Sequence, residues 1–255
     1  MTTTTIGILG TGHLASYTVA GLRNKSGSIN IILSPRNSTI AKGLAENYNC
    51  EIATSNQQVV DRSNYILLAV RPHQLDDLLE GLTFQSSALI ISAIAGISID
   101  QLKSYSNLKN SNIVRTLINV SAEVNVGPVP LFPDNRQAGQ LLANLGTLIV
   151  FDDESAFEIA IVHGCMHGWI YFWLDEMVTW TIQQGLNPEQ AEKMIKQTVQ
   201  GALDLSDQKN LTLKEIGSSI ATTGTYTLSG LQELNSGHSI KAWSNSMQSV
   251  LKKLK

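Results

Sequence analysis

The fold of this chain is decided by the stretch Thr5-Ile6-Gly7-Ile8-Leu9-Gly10-Thr11-Gly12-His13-Leu14-Ala15. An apolar strand leads into a glycine-rich turn, and a helix is predicted to begin near His13. Gly10 allows a tight turn, Gly12 lets the backbone approach a pyrophosphate, and Ala15 lets the helix pack closely on the strand. The helix N-terminus offers N–H groups and partial positive charge to phosphates. The stretch therefore predicts a dinucleotide-binding Rossmann domain, with His13 capping the helix beside the pyrophosphate.

The composition is that of an enzyme of modest size. The 255 residues suffice for one large or two ordinary domains. A net charge of −3 argues against nucleic acid as a partner. The most apolar stretch, residues 159–174, contains two histidines and is too short and polar for a membrane span. Two cysteines give no disulfide framework and the N-terminus has no secretory pattern, so we expect a cytoplasmic protein. We also expect its substrate to be a small molecule.

The first part of the chain alternates strand-like and helix-like segments. The strand-like runs show no alternation of polar residues, which is typical of a parallel sheet covered on both faces. They cover residues 29–34, 65–70 and 88–92, and amphipathic segments cover residues 39–48, 74–82 and 98–104. Apolar runs at residues 113–114 and 148–151 predict further strands at the edge. We predict a Rossmann domain with a mostly parallel sheet over residues 1–152.

The pattern becomes helical after Asp153. One helix is predicted from Glu154 to Gln184, with a break near residues 164–168. Asn187 and Pro188 have the cap and first-position pattern of a new helix. Further helices are predicted near residues 188–208, 211–220 and 238–253. These segments predict an all-α second domain over residues 153–255.

The end of the second strand indicates which cofactor binds. NAD-specific domains carry an acidic residue about 20 residues after the glycines, whereas this chain has Ser34-Pro35-Arg36-Asn37-Ser38. The planar fork of Arg36 suits a 2′-phosphate. An alternative is an ordinary polar loop in which Asn37 or Ser38 caps the next helix. The absence of a carboxylate favours NADPH over NADH.

Five further segments carry a resemblance to a known family. Residues 68–74 (LAVRPHQ) look like its "LAVKPQ" strand end, and residues 92–97 (SAIAGI) resemble its "S-x-x-AGI" turn. Residues 114–119 (VRTLIN) lie where it has "R-x-MPN". In the helical half, residues 197–202 are similar to "QTxxGA", and residues 222–231 align with "SPGGTT…GL". Together they resemble the pyrroline-5-carboxylate reductases over nearly the whole chain.

The resemblance implies a Rossmann domain followed by an all-α dimerisation domain, in a homodimer or higher homo-oligomer. In that family NADPH reduces the C=N bond of pyrroline-5-carboxylate to give proline, and the substrate lies between the nicotinamide and the partner's helices. Ala69, Arg71 and Pro72 would lie on the adenosine side. The full set of expected cofactor-binding residues is Gly10, Gly12, His13, Leu14, Ser34, Arg36, Asn37, Ala69, Val70, Arg71, Pro72, Ala95 and Gly96.

The substrate side is expected to need few groups. A protonated imine is already electrophilic and requires no metal, and hydroxyls with N–H groups at a helix start can hold a carboxylate. Thr227 matches the family's substrate-binding threonine and is expected to be catalytic. The expected substrate-binding residues are Thr222, Thr223, Thr225 and Asn119. The alternative for the threonines is helix capping.

Departures from the family pattern fall on this substrate side. "MPN" reads Leu117-Ile118-Asn119, "GSGPAY" reads as residues 164–169 (GCMHGW), and "PGGTT" reads as residues 223–227 (TGTYT). A glycine replaced by threonine adds a side chain where backbone could approach a ligand. The alternative function is therefore an NADP-binding paralogue with another imine or keto-acid substrate, or a non-catalytic regulatory role.

Histidines and aromatic residues stand out on the first long helix. His163 and His167 are spaced for a zinc pair, but a third ligand would have to come from elsewhere, so we expect no metal. By the resemblance His167 lies at the mouth of the substrate site, where it could donate a proton. Residues 169–174 are apolar on every side of the helix, so the helix must be enclosed on all faces. The remaining helical residues of one chain are too few to enclose it, which predicts an obligate dimer.

Overall fold

A computed structural model describes residues 4–254 and divides the chain into two compact units. The first extends to Gly164 and includes Leu254, and the second covers Cys165–Lys253. No helix within residues 4–254 is long and apolar enough to cross a membrane. The domain boundary predicted after residue 152 stays a prediction.

The first unit contains one eight-stranded sheet. Its strands are β1 (Thr5–Leu9), β2 (Asn30–Leu33), β3 (Glu51–Ile52), β4 (Tyr65–Leu68), β5 (Leu89–Ser92), β6 (Asn112–Thr116), β7 (Pro128–Phe132) and β8 (Thr147–Val150). Its helices are α1 (His13–Lys25), α2 (Ser38–Tyr48), α3 (Asn56–Asp61), α4 (Leu75–Leu79), α5 (Ile99–Ser104) and α6 (Arg136–Leu142). Short 3₁₀ turns cover Pro72–Gln74 and Val120–Val124.

The sheet has the order β3-β2-β1-β4-β5-β6-β7-β8. The strands from β1 to β6 pair in parallel, β7 is antiparallel to β6, and β8 is parallel to β7. This confirms the predicted Rossmann fold with a mostly parallel sheet. The strand order reverses between β1 and β4, which is where open α/β sheets bind their ligands. The strand predicted at residues 113–114 is an inner strand, since β7 and β8 lie outside it.

Two apolar layers cover the two faces of the sheet. Ile8 packs with Val19 and Leu22 of α1 on one face, whereas its neighbour Leu9 packs with Val59 and Leu78 on the other. Alternate residues of a strand point to opposite faces, so an unbroken apolar run fills both layers. Burying each such side chain stabilises the fold by roughly 1.5–3 kcal/mol. The two layers therefore cover the sheet on both faces.

A long helix, α7 (Glu154–Gln183), begins in the first unit and continues into the second. The predicted break at residues 164–168 is wrong, because His167 occupies the position of the family's proline and nothing there interrupts the helical hydrogen bonds. The remaining helices are α8 (Pro188–Gln208), α9 (Leu213–Ile220), α10 (Tyr226–Ser236) and α11 (Ser239–Leu254). Asn187 caps α8 as predicted, accepting the Gln190 N–H at 2.9 Å.

The second unit buries very little of its own surface. Of residues Cys165–Lys253, all of which the structure describes, only Ala191 is buried. Large apolar side chains are exposed on α7, with Phe172 at 79% and Trp180 at 61%. Trp243 of α11 meets Trp169 and Trp173 edge to face, with ring centroids 6.3 and 6.2 Å apart. One copy of this unit therefore lacks a core of ordinary size.

Candidate active site

A cleft of about 560 Å³ opens at the carboxyl ends of β1 and β4, where the strand order reverses. The predicted cofactor residues that line it are Gly10, Gly12, His13, Leu14, Arg36, Asn37, Ala69, Val70 and Arg71. Thr11, Ile40 and Gln74 also line the cleft and were not predicted. Thr11 lies within the predicted glycine turn and Gln74 ends the 68–74 segment, so the sequence carried a signal for both positions. None of these described lining residues carries a carboxylate.

The glycine turn is shaped for close approach by a phosphate. Gly10 has φ +101°, and a Cβ there would lie 2.7 Å from the Ala69 carbonyl oxygen, so the position requires glycine. A Cβ at Gly12 would meet no described atom within 4 Å. Gly12, rather than His13, is the N-cap of α1, and among the described residues no side chain caps that end. Uncapped N–H groups facing open space fit a pyrophosphate.

Hydrogen bonds of Thr11 and Ser34 connect the glycine turn to β2 and α3. The buried Thr11 hydroxyl donates to the Ser34 carbonyl oxygen at 3.3 Å. The Ser34 hydroxyl donates to Oδ1 of Asn56 at 2.7 Å, which ties β2 to the start of α3. The side chain of Ser34 is thus buried and lies outside the cleft lining, unlike the neighbouring Arg36.

The two interpretations of the second-strand loop concern different residues, and the structure shows the capping interaction at Asn37. Asn37 caps α2, with its Oδ1 accepting the Ile40 N–H at 3.3 Å. Arg36 remains half-exposed at the cleft, and its guanidinium lies 4.0 Å from Asp77 of α4. The capping residue fixes the loop, and Arg36 is left able to pair with an anion.

The segments that follow β4 and β5 carry further predicted cofactor-binding residues, and the residues after β4 are fixed by hydrogen bonds of their backbone N–H groups. The Ala69 N–H donates to the Leu9 carbonyl oxygen at 2.8 Å, and the Arg71 N–H donates to Oε1 of Gln74 at 3.2 Å. Pro72 begins the 3₁₀ turn and lies outside the cleft lining. Ala95 and Gly96 lie in the loop after β5, outside this cleft, with Gly96 at φ +70°.

Asn119 follows β6 and caps the 3₁₀ turn at residues 120–124. Its Oδ1 accepts the Ser121 N–H at 3.0 Å and also the Ser121 hydroxyl. The amide oxygen of Asn119 is therefore already engaged, and its remaining polar group is the side-chain NH₂.

The threonine cluster surrounds the start of α10. The Thr225 hydroxyl accepts the Leu228 N–H at 3.1 Å and donates to the Thr222 carbonyl oxygen at 2.8 Å, so the capping interpretation holds for Thr225. Thr222, Thr223 and Thr227 are exposed. Their hydroxyls lie beside the first turn of a helix, where N–H groups are available.

His163 and His167 lie one turn apart on α7 and have different neighbours. Nδ1 of His163 lies 3.2 Å from the Ile159 carbonyl oxygen. Nε2 of His167 lies 3.4 Å from the Tyr171 hydroxyl, with the two rings edge to face at 5.5 Å. The chain from residue 4 to 254 contains no group of three His, Cys, Asp or Glu side chains able to hold a metal ion.

A buried ionic cluster near the sheet was not predicted. Arg115 of β6 is fully buried, and its Nη1 donates to Oε1 of Glu154 at 2.8 Å and to Glu158. Its guanidinium carbon lies 4.8 Å from the centre of the Phe157 ring. Oε1 of Glu154 also accepts the Ile99 N–H at 2.9 Å. The sequence signal for this cluster was an arginine inside an apolar strand. A cation buried there requires anionic or hydrogen-bonding partners.

Comparisons with known proteins indicate an NADP-dependent oxidoreductase, and the carboxylate-free cleft at the switch point of the sheet fits this class. Residues 5–96 match the family model of NADP oxidoreductase, coenzyme F420-dependent. Residues 154–255 match that of pyrroline-5-carboxylate reductase dimerisation. The C-terminal part of the chain is thus similar to the dimerisation domain of pyrroline-5-carboxylate reductases, and this domain indicates a homo-oligomer.

Individual relatives are distant but match nine-tenths or more of this chain. The pyrroline-5-carboxylate reductase of Aquifex aeolicus is 23% identical over 236 residues, covering 90% of this chain and 88% of the relative. The Plasmodium falciparum pyrroline carboxylate reductase, solved with NADP bound, gives a TM-score of 0.89 at 19% identity, covering 100% and 98%. The Streptococcus pyogenes enzyme gives 0.86 at 21% identity, covering 98% of each chain.

Proposed function

We propose that the protein reduces the C=N bond of a small cyclic imino acid, in the first instance pyrroline-5-carboxylate, using NADPH. The observation that carries this proposal is the cleft at the β1–β4 switch point, which presents Arg36 and no carboxylate, in a chain with the reductase dimerisation domain. Bound NADPH would supply the hydride to the imine carbon. The imine nitrogen takes up a proton, and the product is the cyclic amino acid.

The first unit would hold the cofactor. The N–H groups at the start of α1 bind the pyrophosphate, with Gly12 giving it room. Arg36 pairs with the 2′-phosphate, and residues 69–71 line the adenosine side. Ala95, Gly96 and Asn119 border the nicotinamide.

The substrate would be held by the start of α10. The exposed hydroxyls of Thr222, Thr223 and Thr227, with the first N–H groups of the helix, bind its carboxylate. We further propose that Thr222 and Thr227 face the nicotinamide of the other subunit. His167 then donates the proton to the imine nitrogen, with Tyr171 restraining its ring. Both cysteines are free thiols, which fits a reducing cytoplasm.

The test is turnover. Purified protein with NADPH and pyrroline-5-carboxylate is expected to lose the absorbance of reduced nicotinamide and to form proline in equal amount. A matched reaction without imine measures background oxidation. If neither this substrate nor a panel of cyclic imines and keto acids is reduced, the reductase proposal is wrong.

A second candidate is an NADP-binding protein without catalysis. It is favoured by one observation: α7 continues as helix through residues 164–168, where the family pattern has a glycine- and proline-containing helix start. Tight NADPH binding in calorimetry together with no reduction of any compound in the panel would support this candidate. Hydride transfer to any of them would exclude it.

Arg36→Ala is expected to weaken NADPH binding far more than NADH binding. The loss should be about 1–3 kcal/mol for NADPH, since a charge-assisted bond to the 2′-phosphate disappears. Calorimetric titration with both cofactors measures the difference, and Lys42→Ala on the exposed surface of α2 serves as the charge-matched control. Equal losses for both cofactors would show that Arg36 does not contact the 2′-phosphate.

We expect the protein to be an obligate homodimer or a multiple of one. The second unit has one buried residue and exposes Phe172, Trp180 and other large apolar side chains, so a partner must cover them. Light scattering across a dilution series should show no folded species of monomer mass. A folded monomer of 27.7 kDa at micromolar concentration would contradict both the dimer and the shared active site.

A further inference from the structure

The Arg115 cluster joins three elements at the base of two loops. Arg115 is four residues before Asn119, in the strand that leads into the 117–119 loop. Glu154 accepts the Ile99 N–H at 2.9 Å, and Ile99 begins α5 directly after the loop that contains Gly96. Glu154 and Glu158 both belong to the first turns of α7. One guanidinium therefore connects β6 and α7, and through Glu154 also the start of α5.

This connection is largely buried. The Arg115 side chain is 1% exposed and the two carboxylates are largely covered. Phe157 packs against the guanidinium from one side and against the rings of Phe132 and Phe151 from others. Separating a buried cation from its carboxylates carries a large electrostatic penalty, so the ion pairs favour keeping β6 and α7 together.

A second contact extends the same connection to the loop itself. A Cβ at Gly164 would lie 3.0 Å from Cδ2 of Leu117, so Leu117 packs directly on the backbone of α7. Leu117 opens the loop that ends at Asn119. The position of α7 against the sheet thus sets the position of this loop.

We propose that Arg115, Glu154 and Glu158 are positioning residues for the reduction, and that they fix the 93–98 and 117–119 loops against the nicotinamide end of the cofactor. The proposal rests on the proposed function, because it takes these loops to border the nicotinamide. The three side chains do not touch the reacting atoms. They act by holding the backbone from which both loops start.

Glu158→Gln tests the proposal with the least structural change. It keeps the shape of the side chain and an acceptor oxygen, and removes one charge from Arg115. We expect kcat to fall by about tenfold, because small displacements of reacting groups reduce rates steeply. The KM for NADPH should stay within about twofold of the unmodified value. With deuterated NADPH, the isotope effect on kcat should rise, since hydride transfer becomes slower than the other steps.

A control variant and a second measurement accompany Glu158→Gln. Glu51→Gln removes one carboxylate from the exposed Arg62–Glu51 pair at the sheet edge, and it should change none of these quantities. Amide hydrogen exchange on the protein without cofactor should be faster at residues 95–99 and 117–119 in Glu158→Gln alone. This exchange measurement does not depend on any substrate.

The outcomes separate the two proposals. A lower melting temperature of Glu158→Gln with unchanged isotope effect and unchanged exchange in both loops would mean a purely structural cluster, and would overturn the inference. If the unmodified protein reduces no imine, the proposed function fails. Faster loop exchange in Glu158→Gln would still show in that case that the cluster positions both loops.

Discussion

Gly12→Ala is expected to weaken NADPH binding by at least about tenfold, with a loss of stability of only about 1 kcal/mol or less. The added methyl meets no described protein atom within 4 Å, but it occupies the space from which a pyrophosphate would approach α1. Ala is a poorer N-cap residue than Gly, so a small loss of stability is expected beside the loss of NADPH binding. Calorimetric titration with NADPH and a thermal unfolding curve measure the two quantities on the same sample.

Gly10→Ala is the contrasting variant. Its methyl would lie 2.7 Å from the Ala69 carbonyl oxygen, at a φ of +101° that side chains rarely adopt. We expect it to destabilise the fold itself, by about 2 kcal/mol or more. If Gly12→Ala bound NADPH as tightly as the unmodified protein, the pyrophosphate would not lie at this turn.

Arg115→Met is expected to lower the free energy of unfolding by about 3–5 kcal/mol. The substitution leaves two carboxylates close together and partly covered, with no cation between them. Equilibrium unfolding in urea measures the loss, and a fixed protein concentration keeps any contribution from assembly constant. The matched control is Arg62→Met, which breaks a solvent-exposed ion pair and should leave the unfolding midpoint nearly unchanged. A midpoint for Arg115→Met equal to that of the control would show that the buried cluster contributes nothing to stability.

Short apolar runs in the sequence predicted most strands of the sheet and the edge at which a ligand would bind. The runs at residues 29–34, 65–70 and 88–92 became β2, β4 and β5, because unbroken apolar runs can be buried only between two helical layers. β3 has two residues and β7 contains Pro128 and Pro130, so neither carries an ordinary strand signal. These two strands depend on their neighbours in the sheet rather than on their own residues.

The candidate site was predictable where backbone chemistry dictates residue type. Gly10 and Gly12 are such positions, and the structure gives a steric reason for the first. The Arg115 cluster was not predictable, since its partners lie 39 and 43 residues along the chain and depend on how α7 packs. The hydroxyl of Thr225 could serve a cap or a ligand equally well by sequence, and only the three-dimensional hydrogen bonds show that it caps α10.

The tryptophans give this protein an unusual optical property. All four, at positions 169, 173, 180 and 243, lie in the second unit, and residues 1–164 contain none. Emission from tryptophan therefore reports on the helical unit alone, and the sheet unfolds without a direct tryptophan signal. Trp180 is 61% exposed in one chain, so its emission should shift to shorter wavelength when a partner covers it. Fluorescence and far-ultraviolet circular dichroism, recorded together during dilution or heating, can thus separate loss of assembly from loss of the sheet.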